Sequence, residues 1–503
     1  MAQSEVAKRP TSCCILLVAV ALFASASASA ETPLELTTLL ESDSAWRIHS
    51  PRQLQKSQNR LELDAALGLS PALELRVTGR MIWDPAGRLV GEDPDPHYKP
   101  IDRVQPGNSR HLEAELREVY LDWHGRVADA RLDVRAGKQQ IVWGQSFGLR
   151  VLDLVNPQDY REFILDEYVD ARTPTFALRA DLSARGFTLQ GIVVPDFEPD
   201  LLPALESEFA LDTSVPGLLP GLAPLPNDPL FAGGGPLLIP GEDGRPADWR
   251  AKSLAWGLRL ATTARGFDVA LYYWDRIDPS PVLRRSIESL DVPGFGPVPV
   301  NVIDTEYERV RSVGLSFAKP LGELSLWGEG AVSHGRAFAL DDLSDRDGWV
   351  RRPDLQYALG LDWNAGENLF VNTQWIQFVR LGPRHGIEVE RTRSFASLLL
   401  RGEFLAETLV PQLFVLWGLN EREAMLRPSL EFRATDRLSL ALGVDLFSGP
   451  RAGTLGQYAH ERECAQIPAA VPLPGAGSCG FDPPNGETSR VFLRLRYAFL
   501  SAF

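Results

Sequence analysis

Long apolar runs, methionine, cysteine and excess positive charge are all scarce in this chain of 503 residues. Outside the first thirty residues, no apolar stretch approaches the roughly 20 residues a membrane-crossing helix requires. That excludes a helical membrane protein. Four cysteines are too few to staple a chain of this length as a disulfide scaffold. Fifty-one Lys and Arg against 66 Asp and Glu give a formal charge of −15. A nucleic-acid binder would need a basic stripe, so no nucleic acid is expected as a partner. Yet 44% of the residues are hydrophobic, too many for disorder, and the 42 glycines follow no collagen-like period. The chain is read as non-enzymatic, without a nucleophile elbow, a His-Glu-x-x-His zinc motif or a haem-attachment motif. Its seven histidines are scattered, and Ser333-His334 has no identifiable acidic partner. No metal or cofactor is expected.

What the chain does have begins with a leader. Lys8 and Arg9 precede an apolar run from Cys13 to Phe23 and a small-residue stretch ending Ala28-Ser29-Ala30. Residues 1–30 are therefore expected to be a secretory signal peptide. From residue 58 onward the period is two. Leu61, Leu63, Ala65, Leu67 and Leu69 alternate with polar residues, and Leu73, Leu75, Val77, Gly79 and Met81 repeat the pattern up to Trp83. Similar runs recur around 130–136, 176–182, 256–260, 267–273 and 426–432. This is strand patterning, with side chains alternating between two faces. Short turns, such as 70–72, 183–186 and 263–266, alternate with long connections near 84–110, 195–250, 277–305, 336–352 and 449–487. The stretch 112–123 breaks register and suggests a bulge.

An exported chain of alternating strands predicts an all-β fold: a single up-and-down antiparallel transmembrane β-barrel in the outer membrane. Short periplasmic turns and long extracellular loops are expected. Seventeen strands can be drawn, and an even count asks for one more, within Ala45–Gln55. Eighteen strands are expected, with sixteen as the alternative. Residues 31–57 form an N-terminal segment holding that first strand, and 58–503 form the rest of the barrel. Trp83, Trp123, Trp143, Trp274, Trp363 and Trp417 suit aromatic girdles at the membrane interfaces. The alternating tail with Tyr497, Phe499 and final Phe503 resembles the terminal strand that barrel assembly machinery reads. Outer-membrane lipid and lipopolysaccharide would surround it.

If the apolar alternates face lipid, the intervening positions line the lumen. They include Arg76, Arg80, Arg131, Arg135, Arg179, Arg259, Arg401, Arg427, Arg433, Arg494 and Arg496, with Glu62, Asp64, Glu74, Asp133, Asp181, Glu403 and Glu431 on the same face. These side chains could select a solute or simply pair with one another to keep the lining wet. The loop at 195–240 is rich in Leu, Pro and Gly, and its apolar residues must pack as a cap, as a plug or around a lipophilic ligand. Asp341–Asp347 is a solvated loop tip or a Ca²⁺ site. Cys464 and Cys479 are expected to form one disulfide closing a surface loop; metal binding with His460 is the alternative.

The stretch Gly137-Lys138-Gln139-Gln140-Ile141-Val142-Trp143-Gly144-Gln145, with Asn156-Pro157-Gln158-Asp159 after it, resembles the signature of an uncharacterised proteobacterial family, domain of unknown function 1302. That family is similar in build to alginate-export barrels, and Lys138 stands where its usual residue is Arg. The signature positions are Gly137, Gln139, Trp143, Gly144, Asn156, Pro157 and Asp159. The resemblance implies an outer-membrane barrel that moves hydrophobic or amphiphilic compounds, with exporter and periplasmic carrier proteins as partners. The remaining expectations are a general or anion-preferring diffusion porin and a non-conducting scaffold of an export complex. Gly144 could let the backbone turn inward, so 144–170 is expected to fold into the lumen.

Overall fold

Alternation of β-branched, aromatic and leucine residues with charged ones fits a strand that is apolar on one face and polar on the other. The structure, a computed structural model, realises this around a closed cylinder. It describes residues 34–49, 52, 54–86, 112–203, 209, 238–292, 296–340, 349–383, 390–450, 454–459 and 488–502. The leader, Cys464, Cys479, Phe503, the acidic run 341–348 and most of the Leu/Pro-rich stretch, 210–237, lie outside the described residues.

Twenty-one strands are described. The first seven are β1 (Leu34–Arg47), β2 (Leu54–Ser70), β3 (Leu73–Trp83), β4 (Leu112–Val127), β5 (Ala130–Gln139), β6 (Thr175–Ala184) and β7 (Phe187–Val194). Next come β8 (Leu238–Asp243), β9 (Ala255–Ala264), β10 (Phe267–Ile277), β11 (Val282–Val292), β12 (Gly296–Glu306) and β13 (Arg309–Leu321). The last eight are β14 (Leu324–Ala339), β15 (Trp349–Ala365), β16 (Leu369–Arg380), β17 (Thr392–Gly402), β18 (Leu409–Gly418), β19 (Glu423–Arg433), β20 (Leu438–Ser448) and β21 (Arg490–Ala502). Strands β8, β11 and β12 form a separate three-stranded sheet. The other eighteen form the wall, each antiparallel to its neighbours in chain order, and β21 pairs with β1 to close it. The first strand runs Leu34–Arg47, upstream of the expected Ala45–Gln55, and β2 already begins at Leu54. Its outward upper positions, Ser42 and Ser44, are not apolar, so period two fades there.

Outward positions form an apolar belt: Leu258 and Leu260, Val313 and Leu315, Leu359 and Leu361, Leu440 and Leu442, and Leu493, Leu495 and Tyr497 are all exposed. A ten-residue strand tilted by about 40° rises about 25 Å, the height of such a belt in a bilayer. A cylinder with no free edge and an apolar exterior satisfies its backbone internally, so it can sit in lipid. The protein is an outer-membrane β-barrel. Trp83, Trp123, Trp363 and Trp417 are exposed on its outside, as girdle residues are. Trp143 and Trp274 are not: both are buried inside the barrel, 5.4 Å apart in edge-to-face contact. Parity explains Trp274, because Leu271 and Tyr273 face outward and residue 274 must then face in.

The expected bulge is present. Register shifts by one residue opposite Thr78/Gly79, leaving Arg117 unpaired in β4. Eight connections of two to six residues lie at one end, which the outer-membrane pattern assigns to the periplasm; all the long ones lie at the other, together with two short ones at 48–53 and 419–422.

Candidate functional site

The connection from β5 to β6 does not leave the barrel. Residues 140–174 turn into it, carrying a one-turn helix at Tyr168–Ala171. The signature residues build this turn. Gly137 has φ +135°, and a Cβ there would lie 2.2 Å from the Val119 carbonyl oxygen, so only glycine fits. Gln139, fully buried, donates from Nε2 to the Ala177 carbonyl at 2.9 Å. Asn156 joins the two ends of the segment: its Oδ1 accepts from Ile141 N–H (2.7 Å) and its Nδ2 donates to the Thr173 carbonyl (2.9 Å). The Pro157 carbonyl accepts from Thr173 N–H at 2.9 Å. Trp143 donates from Nε1 to Gln190 Oε1 at 2.7 Å. Gly144, at φ +67°, lies where the chain passes Glu329 of β14. Asp159 pairs with Arg161 at 2.5 Å. The inward turn starts at residue 140, four residues earlier than expected.

The segment has two unlike sides. One is apolar: Leu149, Val151, Phe163 and Leu165 pack among Ile376, Phe395, Phe414, Leu416, Met425 and Phe447 of the wall. Ile141, Trp143, Leu152 and Val155 pack against Ile192, Tyr272 and Trp274. Burying the first four side chains contributes about 6–12 kcal/mol at about 1.5–3 kcal/mol each. Tyr458 joins from the β20–β21 connection, 4.9 Å from the Phe163 ring, and Phe209 lies 5.8 Å from Tyr458. Phe209 belongs to the Leu/Pro-rich loop, so this described residue of the loop packs into the same apolar cluster.

The other side is charged and faces β1–β4 and β21. Lys56 bridges Asp43 (3.3 Å) and Glu162 (2.6 Å); Arg490 bridges Glu162 and Asp445, both at 2.9 Å. Arg494 pairs with Asp43 and Glu167, each at 3.0 Å, and Arg496 with Glu41 and Glu167. Asp170 is held at both oxygens, by Arg60 (2.7 Å) and Arg80 (2.6 Å). Arg117, turned inward by the bulge, donates to the carbonyls of Val169, Asp170 and Arg172 at 2.5, 3.0 and 3.0 Å. Burial together with Glu162 pushes the unpaired Asp166 carboxyl up to about 7. Near the loop end, Asp200 accepts from Ser280 Oγ (2.6 Å) and Gln158 N–H (2.8 Å), and burial pushes its carboxyl up to about 6.

All eleven lumen arginines have partners. Arg80, Arg427, Arg494 and Arg496 reach the segment; Arg427 contacts the Leu165 carbonyl and pairs with Asp445. Arg76 pairs with Asp64, Arg135 with Asp122, and Arg259 with the Tyr272 hydroxyl. Arg131, Arg401 and Arg433 sit near the turn end and Arg179 at mid-strand, each with a carboxylate two residues away. Sequence reasoning missed Lys56, Arg60, Arg117 and Arg490. Arg60 and Arg490 share parity with Glu62 and Arg494, a signal that was present. Arg117 had none, because a bulge reverses parity. One motif also needs correcting: Gly144-Gln145-Ser146-Phe147-Gly148 does spell a nucleophile elbow. Here no strand precedes it and no helix follows, and Ser146 is buried with its amide directed at Glu329. Ser333 is also buried, its hydroxyl 2.8 Å from that of Ser312.

A family described as protein of unknown function (DUF1302) matches residues 15–404. No curated protein matches in sequence. Among solved structures the chain is similar to OccAB1 of Acinetobacter baumannii, with 10% identity over 94% of this chain and 97% of that one and a TM-score of 0.47. It is also similar to OpdK of Pseudomonas aeruginosa with vanillate (8%, 94% and 99%, TM-score 0.46) and to OccK8 of the same organism (9%, 94% and 98%, TM-score 0.47). Likeness of this degree carries nothing about solutes; the barrel rests on its own strand pairing.

Proposed function

The chain belongs to the family of proteins of unknown function DUF1302, and from that premise we propose that it is an outer-membrane channel for amphiphilic compounds, admitted charged group first. The observation that carries the reading is the two-sided segment. Its apolar side seals the barrel against β14–β20, leaving a crevice between its charged side and β1–β4 and β21. Two cavities flank the Asp170 clamp, of about 60 and 360 Å³, and both are walled mainly by charged side chains. Bulk hydrophobic cargo would find few apolar contacts there, whereas a charged headgroup would find hydrogen-bonding partners at every step. Exporter and periplasmic carrier proteins are the proposed partners, and exposed Tyr497 and half-buried Phe499, their rings tilted and 5.9 Å apart near the end of β21, are the proposed assembly signal.

A narrow diffusion channel for small charged solutes is the second reading, favoured by the same lining. Single-channel recording in planar bilayers tests both. Small, infrequent steps that enlarge when residues 144–170 are shortened support a segment-gated channel, and their selective block by a charged amphiphile supports the amphiphile. Large ohmic steps in the unaltered protein refute the constriction. Silence in every variant leaves the scaffold.

A further inference from the structure

We propose that Arg60, Arg80 and Arg117 form a carboxylate-binding site for the solute, and that Asp170 occupies it as an internal stand-in. This rests on the channel reading and names the chemical group the channel recognises. The three arginines come from adjacent strands β2, β3 and β4, and each is at least nine-tenths buried. Arg60 and Arg80 hold the two oxygens of one carboxylate separately, at 2.7 and 2.6 Å, as a clamp for a free carboxylate would. That carboxylate sits on a single helical turn with no side-chain cap at its N-terminus. The neighbouring backbone is tethered by Arg117 of the wall and by Gln140 at the root of the segment, the latter through its bond to the Val169 carbonyl at 2.9 Å.

The 360 Å³ cavity opens beside the clamp, within the volume range of small-molecule pockets. Its wall contains five arginines, at 60, 76, 80, 117 and 496, and as many carboxylates. Arg60 is also held by Glu41 at 3.1 Å, Arg80 by Glu62 at 2.6 Å and Arg117 by Glu115 at 3.3 Å, so withdrawal of Asp170 leaves the three guanidinium groups in place and frees the bonds that Arg60 and Arg80 made to it. A single carboxylate entering from the cavity restores those two bonds. Asp170 and the solute therefore compete for one place: arrival of the solute frees the helical turn, and its departure lets the turn return. Because the internal carboxylate is always nearby, the site shows only a fraction of its intrinsic affinity while Asp170 is present.

Calorimetric titration of the full-length protein in detergent, with hexanoate as probe, tests this without requiring conduction. Asp170→Asn should bind hexanoate at least about tenfold more tightly than the unaltered protein, and hexanamide should bind neither. Arg60→Gln combined with Asp170→Asn should abolish the gain. Heat-modifiable gel mobility checks that each variant is a closed barrel. If Asp170→Asn does not assemble, Arg60→Gln alone supplies the test, since it must weaken hexanoate binding relative to the unaltered protein. Equal binding of hexanamide, no gain on Asp170→Asn, or no loss on Arg60→Gln overturns the proposal. A barrel that binds hexanoate as described yet never conducts refutes the channel and keeps the site; a conducting barrel indifferent to all these changes does the reverse.

Discussion

Glu329→Gln is the sharpest test of how the inward segment is seated. Glu329 lies on the inner face of β14, almost wholly buried, and accepts from three backbone N–H groups of the segment: Gln145 at 2.5 Å, Ser146 at 3.4 Å and Leu152 at 3.4 Å. Glutamine keeps the shape but leaves one acceptor oxygen and turns an NH₂ towards groups that can only donate. A hydrogen bond to a charged group contributes about 1.5–3 kcal/mol, so losing the short bond and weakening two long ones costs about 3 kcal/mol. That is about a hundredfold in a local equilibrium at 1.4 kcal/mol per decade. Phe163 and Leu165 still contribute about 3–6 kcal/mol, so the rest of the segment should remain docked. Hydrogen–deuterium exchange should therefore accelerate about a hundredfold across 144–153 and stay unchanged across 160–167. Uniform acceleration along the segment, or none, refutes the assignment of separate anchors.

Other outcomes follow from the same geometry. Gly137→Ala forces a Cβ onto the Val119 carbonyl at a positive φ; a cost of about 2–5 kcal/mol should lower the temperature at which the compact gel band disappears. Asp200 has a folded pKa raised to about 6, so the folded form binds its proton more tightly than the unfolded chain does. Docking of 195–203 on 158–160 should then strengthen as pH falls from 7 through 6 towards 4 and weaken on the way back, by up to about 3 kcal/mol. Exchange at Leu201, corrected for intrinsic rate, should follow that curve and flatten in Asp200→Asn. Brominated lipid should quench the fluorescence of Trp417 on the outside but not that of Trp143; Trp417→Phe should reduce total quenching and Trp143→Phe should not.

Most of the wall was legible because lipid and lumen impose opposite demands on alternate residues, as Leu258 and Leu260 against Arg259 show. The first strand was not, since Ser42 and Ser44 face outward where leucine would have marked them. The charged crevice was half legible. Parity identifies Arg80, Arg494 and Arg496, but their partners Asp170 and Glu167 lie on a segment with no period. The apolar half of the lumen contradicts strict alternation for a physical reason. Strands β17 and β18 read SFASLLL and LVPQLFVLW, apolar on both faces because lipid covers one and the segment covers the other. Such near-continuous runs in a barrel strand are a sign that something packs inside.

The charged ties of the segment also set a chronology. It leaves the chain between the fifth and sixth strands, yet Glu162 is held by Arg490 and Glu167 by Arg494 and Arg496, all on the final strand. These contacts span more than 320 positions and cannot form until β21 has joined β1. The charged seating of the segment is therefore completed only with the last strand, although Lys56, Arg60, Arg80 and Arg117 can already hold it from β2–β4. An assembly stalled before that strand would leave in the membrane a sheet with a free edge and Glu167 without its two arginines, so β21 both closes the wall and finishes seating the stopper.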